Sequence, residues 1–178
     1  MSPYLDYKAL NAPGGLNEQQ VRALICAADS LTAGASVPGA AQMLLRGKNI
    51  ALVCGHSDAD DASTFERAAT SLGARVARIR SSDAGLAPGA DLIATARMLG
   101  RLYEAVECQG VDGEVVAQLV KHAGTVVYYG IGSPCHEAFR QFEHMKHQEA
   151  LAHAAGPAHD DHGCREAFIQ AVLLSTLR

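Results

Sequence analysis

Short strand-like segments alternate with stretches of helical periodicity along most of this chain. Four of them have the length of a strand: residues 49–55, 75–80, 105–108 and 125–129. Residues 49–55 form a continuous apolar run closed by a glycine, which is typical of a strand buried on both faces of a sheet. A helical pattern follows each run, at residues 63–72, 91–103, 112–122 and 133 to about 155. A strand followed by a helix, four times over, predicts a parallel sheet with helices on both faces.

Two more helices are predicted outside this alternation. One begins after Asn17, which suits an N-cap, and Gln20 three residues later completes a capping box. The other covers residues 164–177, after Gly156-Pro157 breaks the preceding helix, and it carries an apolar side. Residues 1–15 show no regular pattern, so we expect them to be irregular.

The composition suits one domain with a packed core, because 48% of the 178 residues are hydrophobic and 19% are charged. The formal net charge is -4 and no basic cluster occurs, which argues against a nucleic-acid partner. No apolar run approaches the roughly 20 residues that span a bilayer, and the N-terminus lacks the pattern of a signal peptide. Five widely spaced cysteines without a CxxC pair favour a reduced protein, so we expect a cytoplasmic location and no membrane partner.

Several motifs occur in the order and spacing of one enzyme family. Residues 45–53, Leu-Arg-Gly-Lys-Asn-Ile-Ala-Leu-Val, resemble the segment that opens the first domain of ornithine and aspartate carbamoyltransferases. Shorter matches follow at Phe65-Glu66, Leu72-Gly73, residues 95–99 (Thr-Ala-Arg-Met-Leu), Glu104-Ala105 and Pro134-Cys135. The resemblance covers about residues 16–145. It implies a three-layer α/β/α domain, aspartate/ornithine carbamoyltransferase-like, whose four parallel strands lie in the order 2-1-3-4.

The same resemblance implies a carbamoyl-phosphate site that has lost its chemistry. The family binds the phosphate with a Ser-Thr-Arg-Thr-Arg loop at a helix N-terminus, where this chain has Asp58-Ala59-Asp60-Asp61-Ala62. Gln109 replaces an arginine, Ser133 a histidine, His136 a glutamine, and Pro88 the basic residue of a mobile loop. Arg97 survives, although a structural role beneath the sheet would explain it equally well. We assign no catalytic residue, and the degenerate pocket comprises Ser57, Asp58, Asp60, Asp61, Arg97, Gln109, Ser133, Cys135 and His136.

The aspartates of this loop allow two interpretations. Asp is a favoured N-cap and complements a helix N-terminus, so one carboxylate can lie where the phosphate of a ligand would lie. Alternatively, the aspartates form a site for a cation or an amine together with His56 or His136. Either arrangement repels a dianionic phosphate.

Other chemical signals are weaker. Residues 130–135 narrowly miss the GxGxxG pattern of nucleotide sites, because the third glycine is absent. Cys135 could be a nucleophile with His136 beside it, but adjacent helical residues do not face each other, and the resemblance explains Cys135 as scaffold. His144 and His147 could share a metal, but a solvated helix face explains both. We therefore predict no cofactor and no metal.

These observations leave two hypotheses for function. The first is a non-catalytic carbamoyltransferase relative, or pseudoenzyme, that serves as a binding, regulatory or assembly module. The second is a carbamoyltransferase-like transferase acting on an altered substrate of amino-acid or pyrimidine metabolism, with a pocket around Ser57, Asp58, Ser133 and His136.

The expected organisation follows from the resemblance. We expect one domain over residues 1–178, with helix 164–177 packing back on it and the family's amino-acid-binding domain absent. The expected partners are further copies of the chain, as a trimer, a full-length carbamoyltransferase paralogue and an unidentified small molecule.

Overall fold

The computed structural model describes residues 5, 7–12, 14–34, 41–55, 59–86, 91–152 and 161–177. In chain order, its helices are α1 (Tyr7–Leu10), α2 (Glu18–Gly34), α3 (Ala59–Ser71), α4 (Leu92–Leu102), α5 (Gly113–His122), α6 (Glu137–Ala152) and α7 (Asp161–Leu177). The strands are β1 (Asn49–Cys54), β2 (Arg75–Arg80), β3 (Ala105–Gln109) and β4 (Val126–Tyr129). A short 3-10 helix, Ala41–Met43, precedes β1.

The four strands form one parallel sheet in the order β2-β1-β3-β4, as predicted. The strand β1 lies inside the sheet, with Ile50 opposite Val76 of β2 and Ala105 of β3. Its apolar residues 50–53 are all buried, which explains why the run shows no alternation in the sequence. All four carboxyl ends therefore meet at one edge of the sheet, where open α/β sheets bind their ligands.

Helices cover both faces of the sheet and complete the predicted three layers. Residues of α2, α3, α6 and α7 form one core with Ile50 and Leu52 of β1. Residues of α4 and α5 form the second core with Ala51 and Val53 of the same strand. The alternation of β1 side chains between the two cores is the period of two that a strand imposes.

The first long helix begins as the sequence predicts. Asn17 Oδ1 accepts from the N–H of Gln20, and Gln20 Oε1 accepts from the N–H of Asn17, both at 2.9 Å. This reciprocal pair is a capping box, and it satisfies two backbone donors that the helix itself leaves free.

Four helices differ from the prediction by more than two residues, and one of them is α7, which begins at Asp161 rather than at residue 164. The helix α1 lies in a stretch expected to be irregular, and α3 begins at Ala59 rather than at residue 63. Asp60 and Asp61 suit this earlier start, because carboxylates in the first turn complement the helix dipole. The helix α6 begins at Glu137 rather than at residue 133. The residues before it form turns instead, in which the N–H of His136 donates to the carbonyl of Ser133 at 3.2 Å.

The helix α7 lies in the core rather than on the surface. Its residues Phe168, Val172 and Leu173 are completely buried. The ring of Phe168 packs against Phe139 and Phe142 of α6, with centroids 5.6 and 5.4 Å apart. The start of α7 lies beside the first turn of α3, where the candidate site lies.

Candidate functional site

Arg165 of α7 joins two carboxylates in the first turn of α3. Its Nη1 lies 2.9 Å from Asp61 Oδ1, and its Nη2 lies 3.2 Å from Asp60 Oδ2. Only 9% of the arginine side chain is exposed, against 18% for Asp61 and 70% for Asp60. The guanidinium is therefore held in a largely desolvated position, where charge-assisted hydrogen bonds are stronger than on an open surface.

The turn after β4 forms the opposite wall of this site. Arg165 Nη1 also donates to the carbonyl of Gly132 at 3.4 Å. A Cβ atom added to Gly132 would lie 2.6 Å from both the carbonyl oxygen of Asp61 and Nε2 of Gln109. No other residue fits there without displacing its neighbours, so Gly132 permits the close approach of this turn to α3 and to the end of β3.

Glu107 and Gln109 lie beneath the turn, on the face of β3 that points towards α3. Gln109 Nε2 donates to Glu107 Oε1 at 2.6 Å, and Glu107 is completely buried. Burial raises the pKa of Glu107 well above its usual value, although the backbone N–H groups of residues 130–132 and the Gln109 amide favour its charged form. None of those groups makes a hydrogen bond with Glu107 Oε2, which is buried without a partner among the described residues.

His136 also has an unpaired buried atom. Its Nδ1 is buried and has no hydrogen-bond partner in the part of the chain that the structure describes. Burial lowers the pKa of His136, and the nearby carboxylate of Glu137 partly opposes this. The ring lies 6.3 Å from that of Phe168, centroid to centroid. A neutral imidazole with a free nitrogen can accept a proton or a hydrogen bond.

Ser133 and Cys135 lie in the turns before α6. Ser133 Oγ accepts from the N–H of Cys135 at 3.3 Å, and Cys135 is exposed. Because Cys135 precedes the first residue of α6, it does not sit within the helix that the sequence predicted to start at residue 133.

Arg97 stands apart from this cluster. It lies on α4, on the other face of the sheet, and its side chain is exposed. This position does not fit a structural role beneath the sheet, because α4 turns Ala96 and Leu99, not Arg97, towards the core.

Ala62 lies in the core rather than in the site. The resemblance aligned it with a lost arginine, but its side chain is 1% exposed and belongs to the core that α3 forms with α7. An arginine there would be buried among apolar side chains, since α3 starts four residues before the predicted helix. His56, Ser57, Asp58 and Pro88 lie outside the described residues.

The two histidines considered for a metal lie far along α6 and are both exposed. The ring of His144 shares a hydrogen bond with Gln148 Nε2 at 3.1 Å. In the described ranges, no three His, Cys, Asp or Glu side chains gather as a metal site requires. No helix among the same residues is long and apolar enough to cross a membrane.

Two residues of the site were missed by sequence reasoning, and one carried a usable signal. Arg165, Phe168, Ile169 and Val172 follow helical spacing, so the arginine shares the buried side of α7. A charge on the apolar side of a core helix needs a partner, which indicates a buried ion pair. Glu107 is likewise a charged residue in an otherwise mostly apolar strand, but the sequence around it does not indicate which groups would surround its side chain.

Comparison with known proteins agrees with this fold. No protein-family model matches the sequence. The catabolic ornithine carbamoyltransferase of Burkholderia mallei is 33% identical over 144 residues, which are 81% of this chain and 42% of that protein. The ornithine carbamoyltransferase of Cutibacterium acnes is 33% identical over 122 residues, 68% of this chain and 36% of that protein. The chain therefore spans less than half the length of these curated relatives.

Solved structures show the same architecture. The ornithine carbamoyltransferase of Pyrococcus furiosus superposes with a TM-score of 0.63 and 22% identity, over 74% of this chain and 42% of that one. The catalytic subunit of M. jannaschii aspartate transcarbamoylase superposes with a TM-score of 0.61 and 14% identity, over 75% of this chain and 45% of that one. At these identities the structures show the fold, while the sequence relatives and the ordered motifs show descent. The chain belongs to the aspartate/ornithine carbamoyltransferase family.

Proposed function

We propose that this chain is a non-catalytic carbamoyltransferase-family protein that acts as a binding, regulatory or assembly module. The observation that carries the proposal is the double ion pair from Arg165 to Asp60 and Asp61. Arg165 also contacts Gly132, so its side chain bridges the first turn of α3 and the turn after β4. By the family resemblance, carbamoyl phosphate would need the space between those two turns.

The charges at α3 oppose a phosphate. A helix N-terminus attracts anions through its free N–H groups and its dipole. Here the carboxylates of Asp60 and Asp61 already lie in that field, and the single positive charge of Arg165 offsets only one of their two negative charges. At an effective dielectric constant of about 20, two like charges about 4 Å apart repel by roughly 4 kcal/mol. A dianionic phosphate would meet this repulsion and would have to compete for Arg165.

The end of β3 offers no replacement for the missing cation. Gln109 stands where the resemblance implies an arginine, and its amide is already engaged by Glu107. Glu107 adds a buried carboxyl group beneath the turn. The described end of β3 therefore adds no cation to Arg165, whereas a phosphate clamp needs convergent, charge-assisted donors.

Calorimetry with carbamoyl phosphate tests the proposal. We expect no saturable heat up to a concentration of about 1 mM, which corresponds to binding weaker than about -4 kcal/mol. The Burkholderia mallei relative, titrated in the same buffer, serves as the positive control. A dissociation constant in the micromolar range for this chain would contradict the proposal.

The second candidate, a transferase with an altered substrate, is favoured by His136. Its buried, unpaired Nδ1 and the lowered pKa of its ring suit a general base that is neutral near pH 7. Ser133 and the undescribed Ser57 and Asp58 would complete this pocket. Release of phosphate from carbamoyl phosphate is measured with a panel of amines, for the wild type and for His136→Gln. Turnover that depends on His136 would establish this candidate in place of the first.

For assembly, we propose a homo-oligomer, a trimer by family resemblance. Ile93, Met98 and Leu102 of α4 are 40 to 59% exposed, and association would remove such apolar surface from water. Light scattering coupled to size exclusion gives the mass directly. A monomer of 18.7 kDa at tens of micromolar would contradict this proposal. Co-elution with a full-length carbamoyltransferase tests the paralogue as a partner.

The organisation as one domain without an amino-acid-binding domain stays a prediction, as does the cytoplasmic location. The intact mass of the protein isolated from its native cells checks the first, and fractionation of those cells checks the second.

A further inference from the structure

The site between α3 and the turn after β4 is built from acceptors that converge on one planar cation. Asp60, Asp61 and the carbonyl of Gly132 come from separate segments, and all three contact the guanidinium of Arg165. Two different nitrogens of the guanidinium donate to the two carboxylates, as the planar, forked arrangement of its N–H groups allows. An ammonium group concentrates its charge at one point and cannot span the same acceptors.

A second observation is independent of these ion pairs. Glu107 is completely buried, and its Oε2 has no hydrogen-bond partner among the described residues. It lies beneath the same turn, since its partner Gln109 approaches Gly132 so closely that a Cβ there would lie 2.6 Å from Gln109 Nε2. One acceptor atom below Gly132 is therefore unpaired, while the backbone N–H groups of residues 130–132 and the Gln109 amide favour the charged form of the same carboxyl group. The three acceptors that meet at the guanidinium point to a donor-only, positively charged group as the occupant.

We propose that the former phosphate pocket is now a guanidinium-binding site, which Arg165 fills from within the chain and which accepts a free alkylguanidinium when that side chain is removed. The inference rests on the proposed loss of carbamoyl phosphate binding, because the same acceptors cannot hold a phosphate and a guanidinium. The sequence also allows a cation site formed by the aspartates with His56 or His136. Here the cation is specified as a guanidinium, and Arg165 rather than a histidine is the group that contacts the aspartates.

Chemical rescue of Arg165→Ala tests this proposal. The substitution removes two methylene groups and the guanidinium, which together have the shape of ethylguanidinium. At about 10 mM, far below denaturing concentrations, ethylguanidinium should raise the melting temperature of the variant by about 3 °C and should leave the wild type unchanged. Ethylurea supplies the same shape without charge, and ethylammonium supplies the charge without the fork.

The double variant Arg165→Ala/Asp61→Asn locates the bound cation. Asp61 is the more buried of the two carboxylates that contact Arg165, so its loss should weaken ethylguanidinium binding at least about tenfold. If Arg165→Ala is unfolded by itself, ethylguanidinium should restore cooperative melting, and ethylurea should not. No rescue, or equal rescue by all three compounds, would overturn the inference.

Carbamoyl phosphate is titrated into the same proteins to separate the two proposals. Binding of carbamoyl phosphate to the wild type would overturn the proposed function and this inference together. If neither carbamoyl phosphate nor ethylguanidinium binds, only the guanidinium site is refuted.

Discussion

The two ends of the parallel sheet differ in how completely their polar groups are paired. At the amino end, Glu104 Oε2 accepts from the N–H of Asn49 at 2.6 Å, and the N–H of Glu104 donates to the carbonyl of Asn49 at 2.9 Å. Thr125 Oγ1 donates to the carbonyl of Glu104 at 2.6 Å. These bonds tie together the starts of β1, β3 and β4. At the carboxyl end, Glu107 and His136 each keep a buried atom without a partner among the described residues.

The contrast separates the residues that hold the fold from those that face a ligand. Leu45 to Asn49 and Glu104-Ala105, which carry much of the family resemblance, lie at the amino end. The positions that depart from the family pattern, Asp60, Gln109 and Ser133, lie at the carboxyl end or beside it. Parallel sheets bind ligands at their carboxyl ends, so that end can change while the scaffold persists.

Breaking the Arg165 ion pairs should cost the most. We expect Arg165→Ala to lower the free energy of unfolding by about 3 kcal/mol, because it leaves the largely buried carboxylate of Asp61 without its cation. The exposed Asp60 contributes little to this loss. Urea denaturation measures the change.

Arg67→Ala is the matched control. Arg67 joins the same two helices through Glu166 at 2.7 Å, but its side chain is 52% exposed. An exposed pair should contribute at most about 1 kcal/mol. Equal losses for Arg67→Ala and Arg165→Ala would show that burial at the carboxyl end has no special effect.

Replacing Glu107 with Gln should have the next largest effect, and it should depend on pH. Burial raises the pKa of Glu107 in the folded chain, so the unfolded chain loses its proton first as the pH rises above about 4.3. Wild-type stability should therefore fall from that pH until the folded pKa is passed. Glu107→Gln lacks this loss, so its stability relative to the wild type should grow with pH.

Denaturant unfolding at several pH values measures that difference. Asp60, Asp61 and the other carboxylates are present in both proteins, so the comparison isolates Glu107. Parallel stability curves for the two proteins would contradict the interpretation of Glu107 as a buried, proton-holding group.

The scaffold was predictable because its signals are local. A continuous apolar run marked β1, and the alternation of strand-like and helical segments marked the parallel sheet. Asn17 and Gln20 gave the start of α2 through a three-residue spacing that needs no tertiary context. The strand order required the family resemblance, since nothing in a single run says which neighbour it pairs with.

The site was less predictable because its partners are distant in the chain. Arg165 lies 104 positions from Asp61, and no local pattern connects them. The loop containing the aspartates was expected to end at residue 62, yet α3 begins at Ala59 and turns Ala62 into the core. The sequence shows that Asp60 and Asp61 replace basic or neutral residues of the family's loop. Only the tertiary packing shows that Arg165 is their counter-ion.

A smaller effect is expected at the amino end. Glu104→Ala removes the acceptor for the N–H of Asn49, and one such hydrogen bond contributes about 1 kcal/mol. Glu104→Gln keeps an acceptor oxygen at the end of a side chain of the same length, so its free energy of unfolding should stay close to that of the wild type. Urea midpoints of the two variants compare them directly, and a similar loss in both would assign the effect to charge rather than to the hydrogen bond.

The smallest effect should come from His136, whose ring is only partly buried. Burial lowers the pKa of His136 in the folded chain, so the unfolded chain takes up a proton first as the pH falls below about 6.5. The contribution of His136 is therefore intact above that pH and is lost as the pH falls through the lower, folded pKa. His136→Gln cannot be protonated and should lose less stability than the wild type between about pH 7 and 5. Proton NMR of the ring follows the titration itself, and a folded pKa at or above the ordinary value would show that Glu137, not burial, controls this histidine.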